Sequence, residues 1–483
     1  MNNSIAKGFT WKLLERFGVQ GVQFLLQIIL ARLLDPEHYG VLSLMLIFVT
    51  LANVFIQQGF NTALIQNKDV TEEDYSSVFW VSLGISILLY GVVFVAAPAI
   101  GEFYKMPDIV APLRVIALVL IPGAFNSVQL AKVSRQLDFK KVFLSNIGGI
   151  LVSGIVGIAL AYAGAGLWAL VVQYLLNIVV ACLVMLFTVK WLPQFVINWR
   201  RISILFSFGW KLLVSGLLDT LYQDLRSLVI GKKYDEGTLG YYNRGKQFPQ
   251  FIVNAVNGTV QSVMLPAMSE KQEDLQQVKA LTRNSIMLST YIMMPIMAGL
   301  AGVATPVVRI LLTDKWLPCV PYMQIYCFSL AFYPVHSCNL QAINAVGRSD
   351  IFLKLEIVKK TIGLFFIVVA VFCFDSPIAI AMTGVFTTFI SCFINSYPNK
   401  KLINYAYLEQ MRDIFPSLIL ALVMCGIVLQ IEKIGMGIWA TLLVQIIVGV
   451  AIYVALSAIF RLEPFKIILD MLRKITRKKR NVR

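Results

Sequence analysis

Apolar stretches about 20 residues long recur from one end of the chain to the other, each long enough to cross about 30 Å of hydrocarbon as a helix. This pattern leaves few folds open. The alternation of a membrane β-strand, about 10 residues long, is absent, and in hydrocarbon each backbone N–H and C=O must find its partner inside the protein. The spans are therefore helical. Composition points the same way. Of 483 residues 58% are hydrophobic and only 14% charged, with a mean hydropathy of +0.75, against roughly 25% charged in soluble domains. We expect an all-α polytopic membrane protein with about 14 transmembrane helices. They fall near residues 11–34, 41–66, 76–100, 109–131, 142–163, 167–189, 204–230, 240–266, 284–312, 320–345, 355–374, 377–397, 413–430 and 438–459.

No connecting segment exceeds about 20 residues, too short for a soluble catalytic or nucleotide-binding domain of about 50 or more. The G-x-x-x-x-G-K-[ST] phosphate loop is missing, so ATP is not expected to drive the protein directly. The first span carries Lys12, Glu15 and Arg16 with no small-residue cleavage site after it, and is expected to be retained. Seven cysteines stand mostly mid-span without C-x-x-C spacing and read as small apolar packers, with no disulfide or metal implied. His38 and His336 stand alone, and no nucleophile–base constellation can be assembled from them. An enzyme is not expected, and neither is a resident cofactor.

Basic residues orient the chain. With the N-terminus inside, the outer segments hold only Arg32, Lys105, Lys232, Lys233, Lys315 and Lys433, while the other loops and the tail 461–483 hold most of the rest. By the positive-inside rule both termini are expected in the cytoplasm, with the basic tail facing anionic lipid. The net charge of +16 is mostly this topology signal. What remains is informative. Arg16, Arg114, Lys211, Arg226, Arg244, Lys246 and Arg309 fall within or at the margins of spans, against Glu15, Asp219 and Asp224. A charge costs at least about 2.5 kcal/mol at the centre of a bilayer, so these side chains should face a polar interior or a partner.

The chain also repeats. Trp11-Lys12-Leu13-Leu14 recurs as Trp210-Lys211-Leu212-Leu213, and the turn Asp35 to Gly40 recurs as Asp235 to Gly240. Pro122, Gln129 and Asp138 match Pro334, Gln341 and Asp350, so the duplicated prolines should bend equivalent helices. The repeat covers six spans, an even number, so the copies run parallel. This predicts a six-helix lobe over 1–200, a second over 201–400, two additional helices within 401–460 and the basic tail.

Polar residues follow the repeat. Lys12, Arg16, Gln20, Gln23 and Gln27 recur at steps of three and four on one helical face, and so do Lys211, Ser215, Asp219, Tyr222 and Arg226. The eighth span adds Asn243, Gln247, Gln250, Asn254, Asn257 and Gln261. Isolated amides serve as interhelical glue, as Gly149, Ser153 and Gly157 serve close packing. Long charged stripes in both copies are better explained by a water-filled cleft between the lobes. Its cationic balance implies an anionic substrate, with arginine suited to phosphate or carboxylate and the amides and hydroxyls to sugars.

Gly8-Phe9-Thr10-Trp11, the stretch Gln23 to Gln27 and above all Leu30-Ala31-Arg32-Leu33-Leu34-Asp35-Pro36-Glu37-His38-Tyr39-Gly40 resemble the opening of WzxC-like polysaccharide flippases. That superfamily also holds multidrug antiporters and the lipid II flippase. The resemblance implies transfer of undecaprenyl-pyrophosphate-linked oligosaccharide across the bacterial cytoplasmic (inner) membrane by alternating access, coupled to an ion gradient of H⁺ or Na⁺. Implied partners are the lipid-linked substrate, membrane lipids and other polysaccharide assembly proteins, with no nucleic acid. It supplies no residue-by-residue motif. The candidate substrate-binding residues therefore rest on the helical-face and embedded-charge arguments: Lys12, Arg16, Gln20, Gln23, Gln27, Arg114, Lys211, Asp219, Tyr222, Arg226, Arg244, Lys246 and Arg309. Glu15, Asp219 and Asp224 are the ion-coupling candidates. A cation antiporter of the same fold would want acidic cavity residues, and a polysaccharide polymerase or ligase a larger outer loop.

Overall fold

The computed structural model describes residue 11 and residues 18–57, 60–67, 69–136, 138–271 and 274–480. Helices are the only regular structure among them, and the chain is the all-helical, multi-span membrane protein expected from its sequence. Among the described residues nine helices are long and apolar enough to cross a membrane, ten when the bent helix over Trp199–Lys233 is taken as one span. Other expected spans fall on helices that are shorter, such as Gln20–Leu33, or more polar, such as Glu236–Glu270.

The chain divides into two compact units, Met1–Gly240 and Tyr241–Arg483. The first contains α1 (Gln20–Leu33), α2 (Pro36–Gln57), α3 (Phe60–Gln66), α4 (Glu72–Tyr104), α5 (Val110–Ile116), α6 (Leu120–Arg135), α7 (Phe139–Tyr162), α8 (Leu167–Val189) and α9 (Trp199–Lys233). Helix α10 (Glu236–Glu270) begins there and continues into the second unit. That unit holds α11 (Leu275–Gly302), α12 (Ala304–Leu311), α13 (Val320–Ala331), α14 (Tyr333–Ala345), α15 (Ser349–Cys373) and α16 (Pro377–Ser396), then α17 (Asn399–Leu402), α18 (Tyr407–Glu432), α19 (Ile438–Ile459) and α20 (Glu463–Arg480).

Local signals explain where several helices start. Thr71 and Asp74 form a reciprocal capping box at the head of α4, with Thr71 Oγ1 accepting from the Asp74 N–H at 3.3 Å and Asp74 Oδ2 from the Thr71 N–H at 2.9 Å. Pro122 and Pro334 sit in the first residues of α6 and α14, each just after an interruption of the preceding helix. In α9 the segments Trp199–Ser207 and Gly209–Lys233 meet at 52°, at a Ser-Phe-Gly step where the helix is easily bent.

Close approaches rely on glycine. A Cβ at Gly149 would lie 2.6 Å from the backbone oxygen of Asn177, and one at Gly157 2.8 Å from Gln173 Cβ, so the small-residue face of α7 does pack tightly on α8. The duplicated turns meet in the same way. Any Cβ at Gly40 would overlap the backbone oxygen of Glu236, and any at Gly240 that of Pro36.

Candidate functional site

Five of the twelve candidate residues on described backbone lie on α9, which packs against α2, α3 and α4. Lys211, Ser215, Asp219, Tyr222 and Arg226 share one face, and their exposure falls along it. Lys211 and Ser215 are exposed, Asp219 and Tyr222 half-buried, and Arg226 only 9% exposed. The buried end continues into Gly231, whose Cβ would lie 3.1 Å from Leu239 and 3.7 Å from Leu44. The stripe thus runs from exposed side chains into packed protein. Asp224 is half-buried and lies off the stripe.

On α1, Gln20 and Gln27 are half-buried and Gln23 is exposed. Lys12, Glu15 and Arg16 lie outside the described residues. Arg114, on α5, donates through Nε to the backbone oxygen of Phe94 at 3.2 Å and places its guanidinium 4.2 Å from that ring, an engagement with α4.

The second unit holds the remaining candidates. Arg244 is 4% exposed, donates to Gln247 Oε1 at 2.6 Å and stacks 5.0 Å from the Trp316 ring. Its neighbour Gly245 lets α10 approach the head of α13, because a Cβ there would sit 2.8 Å from the Cys319 oxygen. Lys246 is half-buried. Gln250 donates to Asn254 at 3.0 Å, continuing the amide row of α10, while the side chains of Asn257 and Gln261 lie outside the described ones. Arg309 is exposed and pairs with Asp314 at 2.6 Å, beyond the end of α12.

Sequence reasoning missed the anchoring of α9. Asp74, 1% exposed, receives Arg201 in a two-pronged pair at 2.8 and 2.7 Å, joining the head of α4 to the first turn of α9. The segment 190–198 between α8 and α9 is strapped to α4. Ser76 Oγ accepts the Gln194 N–H at 3.0 Å, Ser77 Oγ the Asn198 N–H at 2.9 Å, and Trp80 Nε1 donates to the Gln194 oxygen at 2.7 Å. Glu72 gathers Lys132 at 2.6 Å and Trp191 Nε1 at 2.9 Å. The second unit has a counterpart. Arg283 of α11 grips Asp413 of α18 with two contacts of 2.9 Å and reaches Glu463 at 3.1 Å, beside Lys279–Glu409 at 3.0 Å. The capping box Thr71-x-x-Asp74 was a readable signal of a helix head; the pairings themselves were not.

Known proteins resemble this chain. Succinoglycan biosynthesis transport protein ExoT of Rhizobium meliloti (strain 1021) is 22% identical over 348 residues, 72% of this chain and 70% of ExoT. Lipopolysaccharide biosynthesis protein WzxC of Escherichia coli (strain K12) is 21% identical over 358 residues, 73% of this chain and 72% of WzxC. The lipid II flippase MurJ, in an inward closed conformation, superposes with a TM-score of 0.74 at 14% identity, covering 94% of this chain and 98% of MurJ, which places both in one fold. A family profile described as polysaccharide biosynthesis protein matches residues 29–321. The chain therefore belongs to the polysaccharide biosynthesis protein family, as a membrane transporter and not an enzyme.

Proposed function

We propose that the chain is a flippase for an oligosaccharide carried on undecaprenyl pyrophosphate, working in the bacterial cytoplasmic membrane with both termini in the cytoplasm. The observation that carries this reading is the α9 stripe, cationic at both ends and graded from exposed Lys211 to buried Arg226, in a protein of a polysaccharide biosynthesis family. A pyrophosphate needs strong, replaceable contacts. Lys211, a mobile point charge at the open end, suits capture, and the planar fork of Arg226 suits a deeper, oriented hold. Ser215 and Tyr222 lie between them and offer hydroxyls to sugars. Lys12, Arg16, Gln20, Gln23 and Gln27 would form the equivalent stripe of the other repeat. The apolar tail stays in lipid while the head passes, as the two six-helix repeats about 1–200 and 201–400 rock to give alternating access.

Coupling to H⁺ or Na⁺ is assigned in this reading to Asp219, which stands on the stripe between Lys211 and Arg226; Glu15 and Asp224 are secondary candidates. The test is reconstitution in vesicles with a fluorescent undecaprenyl-pyrophosphate-linked oligosaccharide, scoring its accessibility at the outer face with and without an imposed ion gradient. Wild-type protein should flip the probe, and Asp219→Asn should lose the gradient dependence. Flipping at the wild-type rate by both Lys211→Gln and Arg226→Gln would overturn the stripe as the path.

A further inference from the structure

A cavity of about 950 Å³ lies in the second unit, between the first turns of α11, the short α17 and the head of α18. Four of its lining residues are basic, Lys279, Arg283, Lys401 and Arg412, against two acids, Glu409 and Asp413. Both acids are engaged, Asp413 by Arg283 and Glu409 by Lys279. Lys401 and Arg412 are exposed and make no ion pair among the described residues. The cavity thus presents two uncommitted cations, and α18 adds a helix head without a side-chain cap.

Its position favours one source of anion. Helices α11 and α18 are both long and apolar enough to span, so their first turns lie at headgroup depth. Leu275 in the cavity wall and Leu408 beside Glu409 are exposed, Leu408 by 80%, as apolar side chains are where they meet acyl chains. Arg283 also holds Glu463, the first residue of α20. Along α20 the sequence puts Phe465, Ile468, Leu472 and Ile475 at steps of three and four, and Lys466, Asp470, Arg473 and Arg477 on the opposite face. That pattern belongs to a helix lying in a membrane interface, here tethered at the cavity mouth.

We propose that this cavity binds the phosphate-bearing headgroup of an anionic membrane lipid, held by Lys401 and Arg412, with its acyl chains along Leu275 and Leu408. No residue of the α9 stripe lines the cavity. The test follows thermal unfolding of the full-length protein in zwitterionic detergent, titrated with phosphatidylglycerol, phosphatidylcholine or inorganic phosphate. Phosphatidylglycerol should raise the unfolding temperature and phosphatidylcholine should not. The double variant Lys401→Gln/Arg412→Gln should unfold at the wild-type temperature without lipid and bind phosphatidylglycerol about fivefold more weakly for each charge removed. Arg412→Gln alone should show half of that effect on a logarithmic scale, and Lys401→Arg/Arg412→Lys should restore binding. Equal responses to the two lipids, or a double variant with the full phosphatidylglycerol response, would overturn the proposal. An inorganic phosphate response matching that of phosphatidylglycerol would overturn the lipid assignment. Flipping is not read, so failure here leaves the proposed function standing.

Discussion

Gly40 and Gly240 hold the two copies of one duplicated turn against each other. A Cβ built on Gly40 lies 3.1 Å from the Gly240 nitrogen, one built on Gly240 lies 3.3 Å from the Gly40 nitrogen, and each also overlaps a backbone oxygen of the other turn. The contact is reciprocal and involves main chain on both sides, which no rotamer change can relieve.

Replacing either glycine should therefore be costly. Gly40→Ala and Gly240→Ala are each expected to destabilise by about 1–3 kcal/mol, the usual range for overpacking. Gly21→Ala, where an added Cβ meets nothing within 4 Å, should be neutral or stabilising by up to about 1 kcal/mol. Thermal unfolding in detergent compares the three, and equal tolerance at all three positions would mean that the turns do not touch.

The exposure gradient along α9 separates two substitutions that the sequence treats alike. Lys211→Gln should lower flipping at least about tenfold, the worth of roughly 1.4 kcal/mol of lost interaction, with the unfolding temperature unchanged. Arg226→Gln should lower both, because a buried charged side chain takes its partners' satisfaction with it. Flipping rate and unfolding temperature measured together on both variants check the distinction.

Asp74 and Arg201 should behave as a coupled unit. Asp74→Asn is expected to cost about 2–3 kcal/mol, the range for a hydrogen bond to a charged group when its partner is left behind. Arg201→Lys should cost less, retaining the charge but not the two-pronged geometry. In a double-mutant cycle with Arg201→Gln the coupling should exceed about 1 kcal/mol, and additive single effects would show the pair to be incidental.

Orientation gives a fourth expectation. In a Cys373→Ser background, which removes an exposed thiol, Lys433→Cys should react with a membrane-impermeant maleimide in intact cells. Lys400→Cys should react only after permeabilisation. Labelling in the opposite order would invert the proposed topology.

The helical membrane fold was legible because lipid demands long apolar runs, and such runs survive any rearrangement of neighbours. The duplicated turn was legible as well, since Asp235 keeps a helix-capping role, accepting the Thr238 N–H at 2.7 Å, and capping chemistry is local. The ion pairs were not. Asp74 and Arg201 stand 127 residues apart and Arg283 and Asp413 stand 130 apart, so only folding brings them together. The two separations are nearly equal. Each unit ties an early long helix to a later one by an arginine–aspartate pair, with the signs exchanged. Arg114 and Arg309 show the converse: embedded charge read from sequence does not say whether a neighbour such as Phe94 or Asp314 has already claimed it.

The strap over residues 190–198 bears on how such a chain can change over generations. A slack connection absorbs insertions and lets the helix after it drift in length and tilt. Here Ser76, Ser77 and Trp80 read the backbone of the connection at fixed positions, so adding or removing one residue shifts every downstream register on α9 and separates Arg201 from Asp74. Change is thus channelled into side chains on α9 and away from the length of the segment before it.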